Sequence, residues 1–200
     1  TNPRDSKVSR RRIRFGCWTL RGWGGLYSRC DPWCTKDCLF AHIEARGWRA
    51  CLLSDLRFPG NGVMTFRTDH QEWTLIHQGK VGVLLDAGLT SQWRKGGAVT
   101  YATGTAGRAA RALAVNIPSA GKYKGFYLTA VYAPTADKTD EIASFWQEVG
   151  LVMARAPSRS HVIVGGDVNA QPFRGSNGEY RREVGPHAPA CSFAKRAFTR

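Results

Sequence analysis

No stretch of this 200-residue chain approaches the roughly 20 consecutive apolar residues that a helix needs to cross a bilayer, which excludes a helical membrane span. Acidic residues are scarce, with 15 Asp and Glu against 29 Lys and Arg, so the formal charge is +14. A pI near 10 points to a polyanionic partner, nucleic acid first among them. There is no internal repeat and no low-complexity tract. The six cysteines stand at irregular spacings, without the regular framework of a disulfide-stapled secreted domain. The chain begins with Thr1, and no apolar signal-peptide core follows its basic start, which argues against secretion. The expectation is an intracellular, reducing compartment, with nucleus and an organelle such as the mitochondrion not distinguished. An Arg- and Ser-rich start of this kind would also remain after removal of a transit peptide.

What is present is enough for a core. Hydrophobic residues make up 42% and aromatics 11%, including seven Trp, so general disorder is excluded and one domain is expected. The charge is unevenly placed. Residues 1–14 carry +5, residues 15–173 carry +5, and residues 174–200 carry +4. Much of the excess therefore sits in two short ends, divided here as a basic arm (1–12), a body (13–187) and a basic tail (188–200). Arg4, Lys7, Arg10, Arg11, Arg12 and Arg14 at one end, with Arg181, Arg182, Lys195 and Arg196 at the other, are the candidate phosphate contacts.

The local pattern alternates strands and helices. Residues 13–20 form an apolar-rich run that glycines stop, as a strand entering a loop would be. Asp31 and Pro32 start a helix that Gly47 ends, with Trp33, Cys34, Cys38, Ala41, His42 and Ala45 as its stripe. Cys30, Cys34, Cys38 and His42 lack usual zinc spacing, and the better reading is small residues buried on a helix. Residues 50–53 form a strand delivering Ser54 and Asp55, before a turn at 59–62. Hairpin strands are expected at 73–77 and 80–86, ahead of a glycine break at 96–97. A strand at 111–117 turns Leu113, Val115 and Ile117 inward, and another spans 125–133. Asp137 is placed to cap a helix with Ile142, Phe145, Trp146, Val149 and Met153 on one face, ended by Pro157. Residues 161–166 read as a strand buried on both sides. This order implies an α/β architecture of packed sheets with outer helices. Trp18, Trp73 and Trp146 fall on core positions, whereas Trp23 and Trp33 are candidates for contact. Arg94, Lys95, Lys122 and Lys124 read as solvated loop charges.

The strongest chemical signal is HVIVGGDVNAQ, residues 161–171. Two glycines let the backbone turn, and Asp167 and Asn169 project to one side at a strand's carboxyl end. A carboxylate can orient water or hold a divalent ion, and an amide two residues on can bond a phosphate oxygen, a pair suited to phosphodiester hydrolysis. A plain Asx turn competes with this reading. A calcium loop does not, because Pro172 and Gly178 occupy the positions that such a loop needs for Gly and a bidentate Glu.

The strand endings WTLRG (18–22), LLSDLR (52–57), VYAPT (131–135) and GGDVNA (165–170) occur in an order and at separations that resemble the endonuclease/exonuclease/phosphatase superfamily, and most closely the apurinic-endonuclease-like domain of LINE-type retrotransposons. The likeness runs from about Arg12 to about His187. It implies a four-layer α/β sandwich of two packed sheets with outer helices, lacking the family's C-terminal strands, and a Mg2+ site at one end of the sheets. By position, Asp167 would orient water, Asn169 and Tyr132 would contact the scissile phosphate, and Asp55 with Asp167 would hold the metal. Two positions depart from the family. Asp55 replaces its metal-binding Glu, and Thr19 replaces its first active-site Asn, losing an amide's two-donor geometry. The family's C-terminal catalytic His has no match in His187, His161, His42, His70 or His77.

Two functions follow as expectations. One is a non-catalytic nucleic-acid-binding domain, RNA or DNA, acting as a structural subunit of a ribonucleoprotein or other large assembly, with protein subunits covering an open sheet edge and no membrane partner. The other is a Mg2+-dependent nicking endonuclease whose remaining catalytic segment lies beyond residue 200. A phosphatase for small or lipid phosphates fits the charge less well.

Overall fold

The computed structural model describes residues 13–20, 36–58, 60–104, 109–121, 123–135 and 137–169. The arm at 1–12, the tail at 188–200, Trp23, Trp33, Cys30, Cys34, Lys122, Arg181, Arg182, Lys195 and Arg196 lie outside the described residues.

Nine strands and three helices are described, in the order β1 (Phe15–Thr19), α1 (Lys36–Arg46), β2 (Ala50–Ser54), β3 (Asn61–Arg67), β4 (Glu72–Gln78), β5 (Val81–Asp86), α2 (Ala87–Lys95), β6 (Thr100–Ala102), β7 (Ala112–Ile117), β8 (Gly125–Tyr132), α3 (Thr139–Met153) and β9 (Ser160–Asp167). They form a five-stranded sheet ordered β1-β2-β5-β4-β3 and a four-stranded sheet ordered β6-β7-β8-β9. β1 runs parallel to β2 and β8 parallel to β9, while the remaining neighbours are antiparallel.

The period-2 alternation of each strand sorts its side chains into two layers. Leu52, Val83, Leu85, Leu113, Val115 and Leu128 meet in one cluster between the sheets. Burying each such side chain contributes about 1.5–3 kcal/mol. Their neighbours on the opposite face of the larger sheet, Cys51, Leu53 and Leu84, pack beneath α1 through Leu39, Phe40 and Ile43. On the smaller sheet Ala112 and Val131 meet Phe145 and Val149 of α3. The result is the expected four layers, helix, sheet, sheet, helix.

Several expectations are corrected. The buried face of α1 is Leu39, Phe40 and Ile43, not the stripe of Cys38, Ala41, His42 and Ala45, because the larger side chains bury more apolar area. The helix does stop at Gly47, whose φ of 60° suits glycine. The turn placed at 59–62 overlaps a strand that starts at Asn61. β3, α2 and β6 went unforeseen, α2 because its length is short and its start is an Asp86 side chain accepting from the Leu89 N–H. Asp137 does not cap α3: Lys138 is the N-cap residue, without a side-chain cap bond. Instead the Asp137 carboxyl is held below its ordinary pKa by a hydrogen bond from Thr135. α3 ends at Met153, ahead of Pro157. β9 is not buried on both sides. It ends the sheet order, and its outward residues Val162 and Val164 are each 45% exposed. Trp73 is fully buried, while Trp18 and Trp146 are half-buried at the edges of clusters. Arg94, Lys95 and Lys124 are exposed, but Arg94 and Lys95 belong to the last turn of α2 rather than to a loop, where they complement the helix's carboxyl end.

Candidate functional site

Because β1 runs parallel to β2 and β8 parallel to β9, their carboxyl ends gather the marked residues on one rim. Thr19 pairs in register with Ser54, and Tyr132 with Asp167. The packing of β1 and β2 against β9 brings the two halves of the rim together. Thr19, Asp55, Tyr132 and Asp167 therefore share one end of the sandwich, and Asn169 follows directly.

Each is held by specific bonds. The Thr19 and Ser54 hydroxyls are hydrogen-bonded at 2.9 Å. Asp55 is only 5% exposed and has φ of 54°, a left-handed backbone that Asp tolerates better than most residues. Both of its oxygens are occupied by one guanidinium. Arg57 Nε donates to Oδ1 at 3.0 Å and Nη2 to Oδ2 at 2.9 Å, a bidentate pair. Arg57 itself has φ of 55°, so two left-handed residues two positions apart fold the segment back on itself. Asp167 is delivered by Gly166, whose φ is 144° and where any Cβ would overlap the Val131 carbonyl oxygen. Its Oδ1 accepts from the Asn169 N–H at 3.0 Å, an Asx turn. The Asn169 amide in turn donates from Nδ2 to the Ala133 carbonyl at 2.6 Å, tying the β9 exit to the β8 exit.

Tyr132 stands at the centre of the charges. Its hydroxyl pKa is raised, chiefly by burial and then by the Asp55 and Asp167 carboxylates, while Arg57 and Arg111 pull it back. Lys80 Nζ lies 5.4 Å and Arg111 Cζ 5.9 Å from the centre of its ring. Arg57, Lys80 and Arg111 were not singled out by sequence reasoning. Arg57 was visible two residues after Asp55 in LLSDLR. Lys80 and Arg111 reach the site only through the β4–β5 turn and the entry to β7, which no local motif announces.

The arrangement does not fit a resident Mg2+ ion as it stands. A hard divalent cation requires free carboxylate oxygens and an octahedral shell. Asp55 already carries a bidentate guanidinium, one hydrogen bond on each oxygen, and a cation added at the remaining lone pairs would face that positive charge across a few ångströms. Among the described residues no group of three or more His, Cys, Asp or Glu could hold a metal ion. His161 packs on Phe126 at the opposite end of β9 from Asp167, His70 lies 3.7 Å from Glu44, and His187 lies outside the described residues. Of the candidate arm cations, Arg14 is described, and its Nη1 donates to the Arg46 carbonyl at the end of α1 at 2.9 Å.

No family model matches the chain, and no curated protein matches it. Among solved structures, the chain is similar to the endonuclease domain of TRAS1, a telomere-specific non-LTR retrotransposon, at 17% identity and a TM-score of 0.50. The match covers 93% of this chain and 68% of that one. At this identity the likeness establishes the fold, which is endonuclease-like.

Proposed function

We propose that this chain is a nucleic-acid-binding domain on an endonuclease-like scaffold that does not itself cleave phosphodiesters. The observation that carries the reading is the Asp55–Arg57 pair, in which a built-in guanidinium neutralises the carboxylate that the resemblance assigns to a metal. The Asn169 Nδ2, held by the Ala133 carbonyl, and the Thr19 hydroxyl, held by Ser54, are tied to protein partners, which supports it further. Meanwhile Arg57, Lys80 and Arg111 set positive charge around Tyr132, which suits holding a phosphate backbone better than hydrolysing it. The basic ends add sequence-independent affinity. A role as structural subunit of a ribonucleoprotein or other large assembly is supported by the β9 edge, which is paired on one side among the described residues and carries exposed Val162 and Val164.

The alternative is a Mg2+-dependent endonuclease using Asp55, Asp167, Tyr132 and Asn169, favoured by their convergence on one rim. Incubating supercoiled DNA and single-stranded RNA with the purified chain and Mg2+ separates the two. The expected result is binding without strand breaks, the same for wild type and Asp167→Ala. Breaks by wild type that Asp167→Ala abolishes would overturn the proposal in favour of the nuclease.

A further inference from the structure

Behind the Tyr132 rim, between the smaller sheet and α3, lies a cavity of about 350 Å³ whose lining includes none of Thr19, Asp55, Tyr132, Asp167 and Asn169. That volume falls within the range of small-ligand sites. Its walls differ in charge. Lys80 and Arg111 form the wall toward Tyr132, while Glu141, Ser144 and Glu148 form the α3 wall.

The basic wall is fixed by the backbone. The Lys80 N–H donates to the Ala110 carbonyl at 3.1 Å, and the Lys80 carbonyl accepts from Leu56 at 3.1 Å. The Arg111 N–H donates to the Thr103 hydroxyl at 3.2 Å, and its carbonyl accepts from Tyr132 at 2.7 Å. Arg111 reaches Glu141 at 3.5 Å, and Lys138 also reaches Glu141, at 3.7 Å, so that carboxylate is shared between two cations and Arg111 keeps its remaining N–H donors for a second anion. Lys80 is half-buried against the Tyr132 ring and has no carboxylate within ion-pair distance among the described residues. A partly desolvated ammonium without an anion is a standing attraction for one. On the opposite wall Glu148 likewise has no cation at ion-pair distance among the described residues, and it lines the cavity beside Ser144, whose hydroxyl donates to the Glu141 carbonyl at 3.0 Å.

We propose that this cavity seats one unpaired nucleotide of a bound single strand, its phosphate on Lys80 and Arg111 and the amino edge of its base on Glu148. A carboxylate accepts from the cytosine N4 amino group, whereas thymine offers O4, an acceptor, at the same place. The site thus favours cytosine over thymine. This rests on the nucleic-acid-binding reading, which it sharpens to a subsite and a base preference.

The test measures binding of oligo(dC) and oligo(dT) of equal length to the full chain over a range of salt concentrations, for wild type, Lys80→Gln, Lys80→Arg and Glu148→Gln. Wild type is expected to bind oligo(dC) about fivefold or more tighter. Glu148→Gln, on an exposed helical position, should remove that preference, because the amide can donate to thymine O4 as well as accept from cytosine N4, so that oligo(dT) binding rises to meet oligo(dC). Lys80→Gln should weaken both oligonucleotides and lower the salt slope by about 0.7, with Lys80→Arg restoring it. If Lys80→Gln fails to fold, Glu148→Gln carries the test alone. Equal affinities for the two oligonucleotides in wild type, or a preference that survives Glu148→Gln, would overturn the subsite while nucleic-acid binding stands. No binding of either oligonucleotide by wild type would sink both.

Discussion

Asp55 and Arg57 show how much a pair of residues can decide. Removing the guanidinium leaves a nearly buried carboxylate uncompensated, a loss of about 1–3 kcal/mol after allowing for the half-exposed arginine. Arg57→Ala is therefore expected to lower the thermal midpoint and to become stabilised by millimolar Mg2+ or Mn2+, with the wild type indifferent to either ion. Differential scanning fluorimetry reads both. A wild-type midpoint that rises with Mg2+ as much as the variant's would show that Arg57 does not stand in for a divalent ion. At the same scale, Tyr127 is buried and its hydroxyl donates to the Val152 carbonyl at 2.6 Å, and burial is the main reason its pKa is pushed up to about 12. The folded state thus prefers the neutral phenol. That contribution is fully present below the unfolded value near 10 and is lost as pH rises toward about 12, a swing on the order of 2–3 kcal/mol. Tyr127→Phe should flatten the alkaline fall in stability over this window, as measured by urea unfolding at stepped pH.

At the scale of elements, capping and edges explain both what could be foreseen and what could not. Asp86 ends β5, accepts from Leu89 N–H at 2.7 Å to start α2, and is paired with Arg49. Asp86→Ala should cost about 2 kcal/mol in chemical denaturation, because cap and ion pair go together, and Asp86→Asn should recover much of it by keeping the cap. This junction was hidden in sequence, since a short helix opening directly from a buried strand leaves no polar loop between them. β9 shows the opposite error. Its unbroken apolar run read as a strand covered on both faces, yet Val162 and Val164 face outward, beyond the reach of α3 over β7 and β8. Exchange of Val164 for Thr should therefore change stability by less than about 0.5 kcal/mol. Gly166→Ala, forced into a left-handed backbone and onto the Val131 carbonyl, should cost several times more. The strands whose alternation was read correctly, such as 112–117, were those buried between two layers, where period and burial agree.

At the scale of the molecule, charge and sheet pairing set the behaviour toward partners. Deleting residues 1–12 removes five cations and one acid from the chain. The slope of log affinity against log salt for duplex DNA should flatten by several units, at about 0.9 for each phosphate that the arm no longer neutralises. An unchanged slope in a filter-binding titration would take the arm out of the interface.

The amino-acid sequence by itself determined the α/β class, because apolar periods of two and of three to four, broken by Gly, Pro and Asp, mark most of the strands and the longer helices, while the four layers were implied by the resemblance of the strand endings. It also placed Asp167, Asn169, Tyr132, Asp55 and Thr19 at strand ends, since those signals are local. Only the tertiary structure decided what those residues face. Arg57 turns back onto Asp55 through two left-handed residues, and Lys80 and Arg111 arrive at Tyr132 from separate turns. Contacts between residues distant in the chain depend on how the two sheets stack, and no local pattern encodes that stacking. The stacking places three cations around Tyr132.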